Sequence, residues 1–490
     1  MTPRDLTTPW ATRSALYSAP GGVIVKLQPG EAPEAIPTAL DVRLGAQPVA
    51  TQFRVGSVDR ILRNVAEDIR IVRAHSAAAG RPGEAHAHYD DVEHATGLSR
   101  TFRVQVRETC SVDLVVDALR QLALVEEAYP HYLAAVPFDA PAGPFTAADG
   151  AAWETVRAAE AAAYEPGDPA VIVAIVDTGV RAEHAEWAGA LRAGVDTVQL
   201  GRSQLAAGLE LVGDLEDVDT DPDDLVGHGT ACAGIIGARG QGQPPGLAGR
   251  CGLLPIRALG AARCPGKTAL VGVGALADIN EGVKRAIDLG AKVVNMSFGT
   301  PESELDADDP RPHADVVRYG LARGCVMVAA SGNSGEEERY APASLDGVIA
   351  VAAAAADGRP APFSTRGGHV ALAAPGERVF AAGLDGYQRV TGTSFAAPFV
   401  AAAAALLVSR AARRAHPLDG RDVRRLLTAT ARPWPDGTPG GSGVGVLDAA
   451  AALRALDAEI DAETRPRAER GVEARAGPGA VPARRPPAPS

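Results

Sequence analysis

Lysine is nearly missing from this chain. Lys26, Lys267, Lys284 and Lys292 are the only four among 48 basic residues, the rest being arginine. Basic charge is in deficit overall, 48 Lys+Arg against 60 Asp+Glu, for a net charge of −12. Binding to a nucleic-acid backbone needs a basic surface, so that class of function is excluded. Aromatic residues are 4% of the 490, and methionine occurs three times. With 46% hydrophobic residues the core must be built mainly from Ala, Val, Leu and Ile. The longest clean apolar run, Phe395–Val408, has 14 residues. A membrane-spanning helix needs ~20, and the run contains Pro398, so it reads as a buried helix. Met1–Pro20 has no apolar stretch of secretory-signal type, which favours a cytoplasmic location, with secretion as the alternative. The cysteines at 110, 232, 251, 264 and 325 are odd in number and widely spaced, without a CxxC zinc pattern. Reduced thiols are expected; Cys251 and Cys264 are close enough to pair in an oxidising compartment.

What is present divides the chain. Residues 1–19 read as a loose leader. Residues 20–140 read as a small α+β domain. It has strands at Gly22–Leu27 and Thr101–Val106, helices at Val58–Ala74 and Ser111–Leu122, and an extended piece at Val125–Val136. Residues 137–150 have the Pro/Gly/Ala composition of a linker. From Val171 the pattern changes. Val171–Val176 is continuously apolar and β-branched, as expected of a strand buried on both faces of a parallel sheet. Lys292–Met296, Val326–Ala330 and Val348–Val351 are similar. Helical stretches alternate with them at Thr230–Ile236, Ala275–Leu289, Ala314–Arg323 and Ser394–Arg414. The alternation predicts a doubly wound, mostly parallel α/β domain over 141–455. Residues 456–490 lose periodicity and read as a disordered Pro/Ala/Arg-rich tail.

Three residues stand at the ends of such elements. Asp177 follows a buried strand, where α/β folds bind ligands; an acid there also caps helices. The Asp-Thr-Gly that it opens occurs twice in aspartic proteases and once here. His228 lies between Gly227 and Gly229 at a helix start, where glycines let other backbone approach the imidazole. Ser394 opens a long apolar helix, whose unpaired N–H groups favour a developing negative charge. Pro398 has no N–H to donate to the Ser394 carbonyl. Taken together the three have the types required of nucleophile, general base and orienting acid. Asn333, after another strand, supplies a side-chain N–H for an oxyanion, with the Ser394 N–H as the second donor.

Those segments, IVDTGV, GHGTACAGIIG, NMSFG, AASGNSG and GTSFAAPFVA, resemble the subtilisin-like serine proteases (subtilases), in the family's order of Asp, His, Asn and Ser. The similarity covers about Trp153–Leu453, with lesser matches at Tyr340–Ala343, Ala374–Gly376 and Gly443–Ala449. The resemblance implies a serine endopeptidase with Asp177, His228 and Ser394 as the triad and Asn333 as oxyanion donor. It implies that Ser297, Phe298 and Gly299 pair with the substrate backbone and wall the specificity pocket, and that Ala330, Ser331 and Gly332 also bind substrate. Cys232 matches the proteinase K/thermitase-like branch, where the thiol lies beneath the histidine as a packing residue. The N-terminal domain then resembles the family's ferredoxin-like propeptide, an intramolecular chaperone and inhibitor whose last strand occupies the cleft. Protein or peptide substrates and the chain's own prodomain are the implied partners, with neither nucleic acid nor membrane.

Departures from the family temper this reading. Ala238–Cys251 lacks the Asn/Asp-bearing calcium loop, and its G-x-G follows no strand, which rules out a nucleotide loop. No cofactor is required. Calcium is a candidate structural ion at the acidic loop of Asp214, Asp217, Asp219, Asp221, Asp223 and Asp224, with Asp219, Asp221 and Asp223 as ligands; a solvated acidic loop is the stronger reading. A dedicated processing or macrocyclising peptidase would carry the same triad. An inhibited pseudo-protease serving as a binding module is disfavoured by the intact set. For substrate preference, Phe298 points to a broad apolar choice. Glu336, Glu337 and Glu338 with Asp223 and Asp224 point to Lys or Arg as the rival.

Overall fold

The computed structural model describes residues 16–30, 33, 35–78, 88–136, 146–187, 189–201, 209–215, 219–264, 269–305 and 307–464. Most of the leader, the core of the linker and residues 465–490 lie outside these, as do Asp217 and Lys267.

The N-terminal domain runs β1 (Leu16–Leu27), α1 (Gly56–Val65), β2 (Arg70–Arg73), β3 (Thr101–Gln105), α2 (Val112–Arg120) and β4 (Val125–Val136). Its strands lie in the order β2-β3-β1-β4, each antiparallel to its neighbour. This is the ferredoxin-like arrangement. Val23, Val25, Phe102 and Val104 from the sheet meet Val58, Leu62, Val115 and Leu119 from the two helices in one apolar cluster. Two expectations change here. The leader gives way to strand already at Leu16, which pairs with Ala134. The helix expected over 58–74 stops at Val65, because the chain turns through Asp68 at φ 54° and Arg70–Arg73 pairs along β3.

The second domain is built on parallel strands β5 (Ile172–Asp177), β6 (Gly252–Arg257), β8 (Val293–Met296), β9 (Val326–Ala330), β10 (Ile349–Ala354) and β11 (Val370–Pro375), with β7 (Leu270–Ala275) between β6 and β8 in sequence but outside this sheet. The spatial order is β11-β10-β9-β8-β5-β6. The winding direction therefore reverses beside β5, and the crevice at such a reversal is where open α/β sheets bind ligands. Helices α3 (His228–Gly237), α4 (Leu276–Asp288) and α5 (Thr393–Arg413) connect and cover the strands. α5 is apolar and long enough to cross a membrane, yet 83% of its apolar window is buried inside the protein. Its run of alanines lets it pass close against α3 and the sheet. Helix α6 (Ala449–Thr464) corrects the expected tail: Leu456 and Ile460 are buried, and Asp457 accepts from Arg410 and Tyr164. Alanine-rich spacing had hidden its apolar face.

The domains share a sheet edge. β4 pairs antiparallel with β7, Leu133 opposite Ala275 through Val136 opposite Gly272. An apolar cluster crosses the boundary, joining Tyr132, Ala134 and Val136 to Leu276, Ile279 and Phe298. Charges on α4 are matched by the N-terminal domain. Asp278 takes Arg103 at 2.6 Å, Glu281 takes His75 at 3.4 Å, and buried Lys284 meets buried Glu93 at 2.6 Å. Lys26 of β1 reaches Asp315 at 2.9 Å.

Candidate active site

Asp177, Ser297 and Asn333 follow the carboxyl ends of β5, β8 and β9, so the sheet itself brings them to one edge. Asp177 is fully buried; its Oδ1 accepts from Thr178 N–H at 2.7 Å and lies 2.7 Å from His228 Nδ1. His228 is the first residue of α3, entered through Gly227 at φ 96°. The neighbouring glycine is required by space: a Cβ on Gly229 would lie 2.2 Å from the Gly179 carbonyl oxygen. The loop before His228 is held by Asp224, which accepts from the N–H groups of Val226, Gly227 and Thr230 and from the Thr230 hydroxyl.

Ser394 stands in the first turn of α5, and its ring neighbour Phe395 lies 5.0 Å from the His228 imidazole. The Ser394 hydroxyl donates to the Ser297 carbonyl at 2.9 Å. Its own carbonyl, which Pro398 cannot serve, is satisfied from outside the helix. Ser297 Oγ donates to it at 2.7 Å, and Cys232 Sγ approaches at 3.5 Å. Asn295 in turn donates to Ser297 Oγ at 2.9 Å. The proline gap thus ties the Ser394 backbone to two adjacent segments. Cys232 is fully buried, and burial pushes its thiol well above the usual range, which fits a packing and donor role. Asn333 Oδ1 accepts from the Thr393 N–H at 2.9 Å and hydroxyl at 3.0 Å. Anchoring the oxygen in this way fixes which side the Nδ2 donor presents. Thr393 precedes Ser394 within GTSFAAPFVA, where nothing in the residue spacing marks it as this clamp.

Several expected residues are placed differently. Phe298 is 4% exposed, its ring tilted against His313 at 5.3 Å, in an apolar cluster that Tyr132 and Val136 of the N-terminal domain help to close. Asp224 is buried in the loop described above, and Asp223 is paired with Arg181 at 2.7 Å. Glu338 accepts from Ser303 at 2.5 Å. Glu336 and Glu337 are exposed. The supposed acidic lining of the cleft is thus mostly committed elsewhere. All five cysteines are free thiols, so Cys251 and Cys264 are not joined.

Metal ligation can be tested against the same geometry. Among the described residues, the one group of three ligating side chains within 4.8 Å of one another is Asp177, His228 and Cys232, not the acidic loop. The glycine-rich loop at 239–243 does cradle an anion, but it is the chain's own Glu186. That carboxylate is fully buried and accepts from the N–H groups of Gly240, Gln241, Gly242 and Gln243 at 2.7–3.2 Å and from the Tyr387 hydroxyl at 2.9 Å. Burial pushes its pKa up, but these donors outweigh it and hold the group below the usual range. Inward-pointing N–H groups do not suit a cation. Glu186→Gln puts an amide N–H₂ against those donors. We expect a loss of about 3 kcal/mol, a fall in melting temperature of roughly 6–12 °C, measured by calorimetry.

A carboxylate, an imidazole and a hydroxyl at the carboxyl edge of a doubly wound sheet, with an amide beside the hydroxyl, define the class: a serine hydrolase. The profile of the Subtilase family matches residues 168–477, well over half of the chain, and the chain belongs to that family; it is a serine endopeptidase of the subtilisin type. It is 32% identical over 318 residues to the thermophilic serine proteinase of Bacillus sp. strain AK1, covering 63% of this chain and 69% of that one. It is 33% identical over 242 residues to thermitase of Thermoactinomyces vulgaris, covering 49% and 75%. A solved structure from Pseudoalteromonas arctica, described as proteases of that organism, superposes with a TM-score of 0.53 at 25% identity, over 65% of this chain and 100% of that one.

Proposed function

We propose that this chain is a self-processing zymogen in which Asp177, His228 and Ser394 form the triad and Asn333 donates to the oxyanion. His228 takes the Ser394 proton as the hydroxyl leaves the Ser297 carbonyl, and Ser394 attacks the scissile carbonyl. Asp177 orients the imidazole and stabilises its charged form. Asn333 Nδ2 and the Ser394 N–H hold the oxyanion, and water resolves the acyl-enzyme. The carrying observation is the 2.7 Å contact between Asp177 and His228 at the strand edge that also bears Ser297 and Asn333. A fluorophosphonate probe is expected to label Ser394 alone; labelling elsewhere, or none in the processed chain, rejects the assignment.

The N-terminal domain acts as the intramolecular inhibitor. The pairing of β4 with β7 supports this, because a strand bound at that edge runs its C-terminus toward the cleft. The contact carries a pH dependence. His131 on β4 is fully buried, with Arg103 at 3.3 Å, and burial and then that charge hold its pKa well below 6.5. A histidine whose folded pKa is depressed contributes stability above its unfolded value and loses it as pH falls. Below pH 6.5 the loss is about 1.4 kcal/mol per pH unit until the folded pKa is reached. Thermal melts of the unprocessed chain at pH 7.5 and 5 are expected to show this fall, and His131→Gln to reduce it.

Calcium, as a structural ion, would fall to Asp219 and Asp221 of that loop, because Asp223 is paired with Arg181 and Asp224 is taken up by backbone N–H groups and the Thr230 hydroxyl. Melting temperatures in millimolar calcium and in chelator are expected to differ by only a few degrees; no difference removes calcium from this loop.

A further inference from the structure

On the peptidase reading, the side chain of the residue that donates the scissile carbonyl lies beside Ser394, between the segments that follow β8 and β9. That space holds a ring. A Cβ on Gly332 would lie 2.6 Å from Tyr340 Cδ2, and a Cβ on Gly299 would lie 3.2 Å from Tyr340 Cδ1. The two edges of one aromatic ring therefore touch the two facing walls. Both glycines are required for this fit, and Gly332 sits at φ 111°. The ring is held from behind as well. Tyr340 and Ala341 pair antiparallel with Thr300 and Pro301, and the Tyr340 carbonyl accepts from Ser344 N–H at 2.8 Å. Burial, with Glu338 beside the hydroxyl, pushes its pKa up to about 12, so it stays a neutral hydrogen-bonding group.

We propose that Tyr340 fills the floor of the specificity slot between Gly299 and Gly332, so that this endopeptidase cleaves after small residues such as Ala rather than after large apolar or basic ones. The inference rests on the peptidase reading above and deepens it by naming the substrate class. It also replaces the broad apolar preference expected from Phe298, whose ring lies in the core.

Two fluorogenic peptides that differ only in carrying Ala or Phe before the scissile bond provide the test, with the full-length chain after its own processing. A slot that is filled must discriminate by more than one methylene does, which is worth roughly 10–200-fold. Wild type is expected to favour Ala at least about 10-fold in kcat/KM, and Tyr340→Ala to shift the ratio toward Phe by a similar factor or more. Tyr340→Phe keeps the ring and should keep the Ala preference. Wild type that cleaves after Phe as well as after Ala overturns the proposal, whatever the variants do. So does an unchanged ratio in a Tyr340→Ala chain that melts like wild type. Hydrolysis of neither peptide overturns the peptidase reading, and the slot assignment with it.

Discussion

A chain carrying Ser394→Ala stays at full length and hydrolyses peptides at a rate lower by on the order of 10⁶-fold, the scale on which removing the nucleophile of such a triad acts. The substitution removes one hydroxyl, which donates to the Ser297 carbonyl. The backbone contacts that fix this turn, from Ser297 Oγ and Cys232 to the Ser394 carbonyl, are untouched. The variant should therefore melt at the wild-type temperature or above it, so lost activity cannot be ascribed to misfolding. Intact mass measured over days separates the alternatives. Cleavage after β4 at the wild-type rate would place the nucleophile elsewhere.

Asn333→Ala is expected to lower kcat by about 10²–10³-fold and leave KM within a few-fold, because the donor is used only once charge has built on the oxygen. The structure sharpens this. Asn333 is exposed, and its anchoring bonds run to Thr393 rather than into the core. Truncation thus costs little stability and acts on the transition state. Thr393→Val keeps the N–H bond to Asn333 and loses the hydroxyl bond, so it should fall between wild type and Asn333→Ala. Steady-state kinetics on one peptide measure all three. A rise in KM with kcat preserved would make Asn333 a substrate contact instead.

How far the sequence could be read follows from what each feature depends on. β5, β8 and β9 are short valine-rich, largely apolar runs that no local alternative competes for, and the positions of Asp177 and Asn333 at their ends followed directly. α5 was equally plain, because alanines and Pro398 mark a helix buried on all sides. β6 was not recognised: Pro255 interrupts Gly252–Arg257, and such a residue usually argues against an inner strand. It is tolerated because β6 pairs along its full length with β5, while the bridges on its outer edge fall at Leu253, Ile256 and Arg257 and not at Pro255. The roles of Glu186, Asp224 and Tyr340 were hidden for a different reason. Each is set by partners 30 or more residues away, or by loop amides whose direction no residue pattern encodes. The cover over Phe298 was hidden in the same way, since Tyr132 and Val136 of the adjoining domain share its apolar cluster and His313 meets its ring, all from segments distant in sequence or beyond a loop.

The scarcity of lysine turns the contact between the domains into something that can be read chemically. Lys26 and Lys284 are 1% and 0% exposed, each enclosed by carboxylates contributed in part across the boundary, whereas Lys292 is exposed on the surface. An amine-reactive acylating reagent meets Lys292 in every state of the protein. It meets Lys284 only when Glu93 and its helix have moved off α4. The ratio of modification at these two positions, taken from one digest, is therefore an internal clock of how long the two domains stay together, with no engineered tag and no dependence on catalytic turnover.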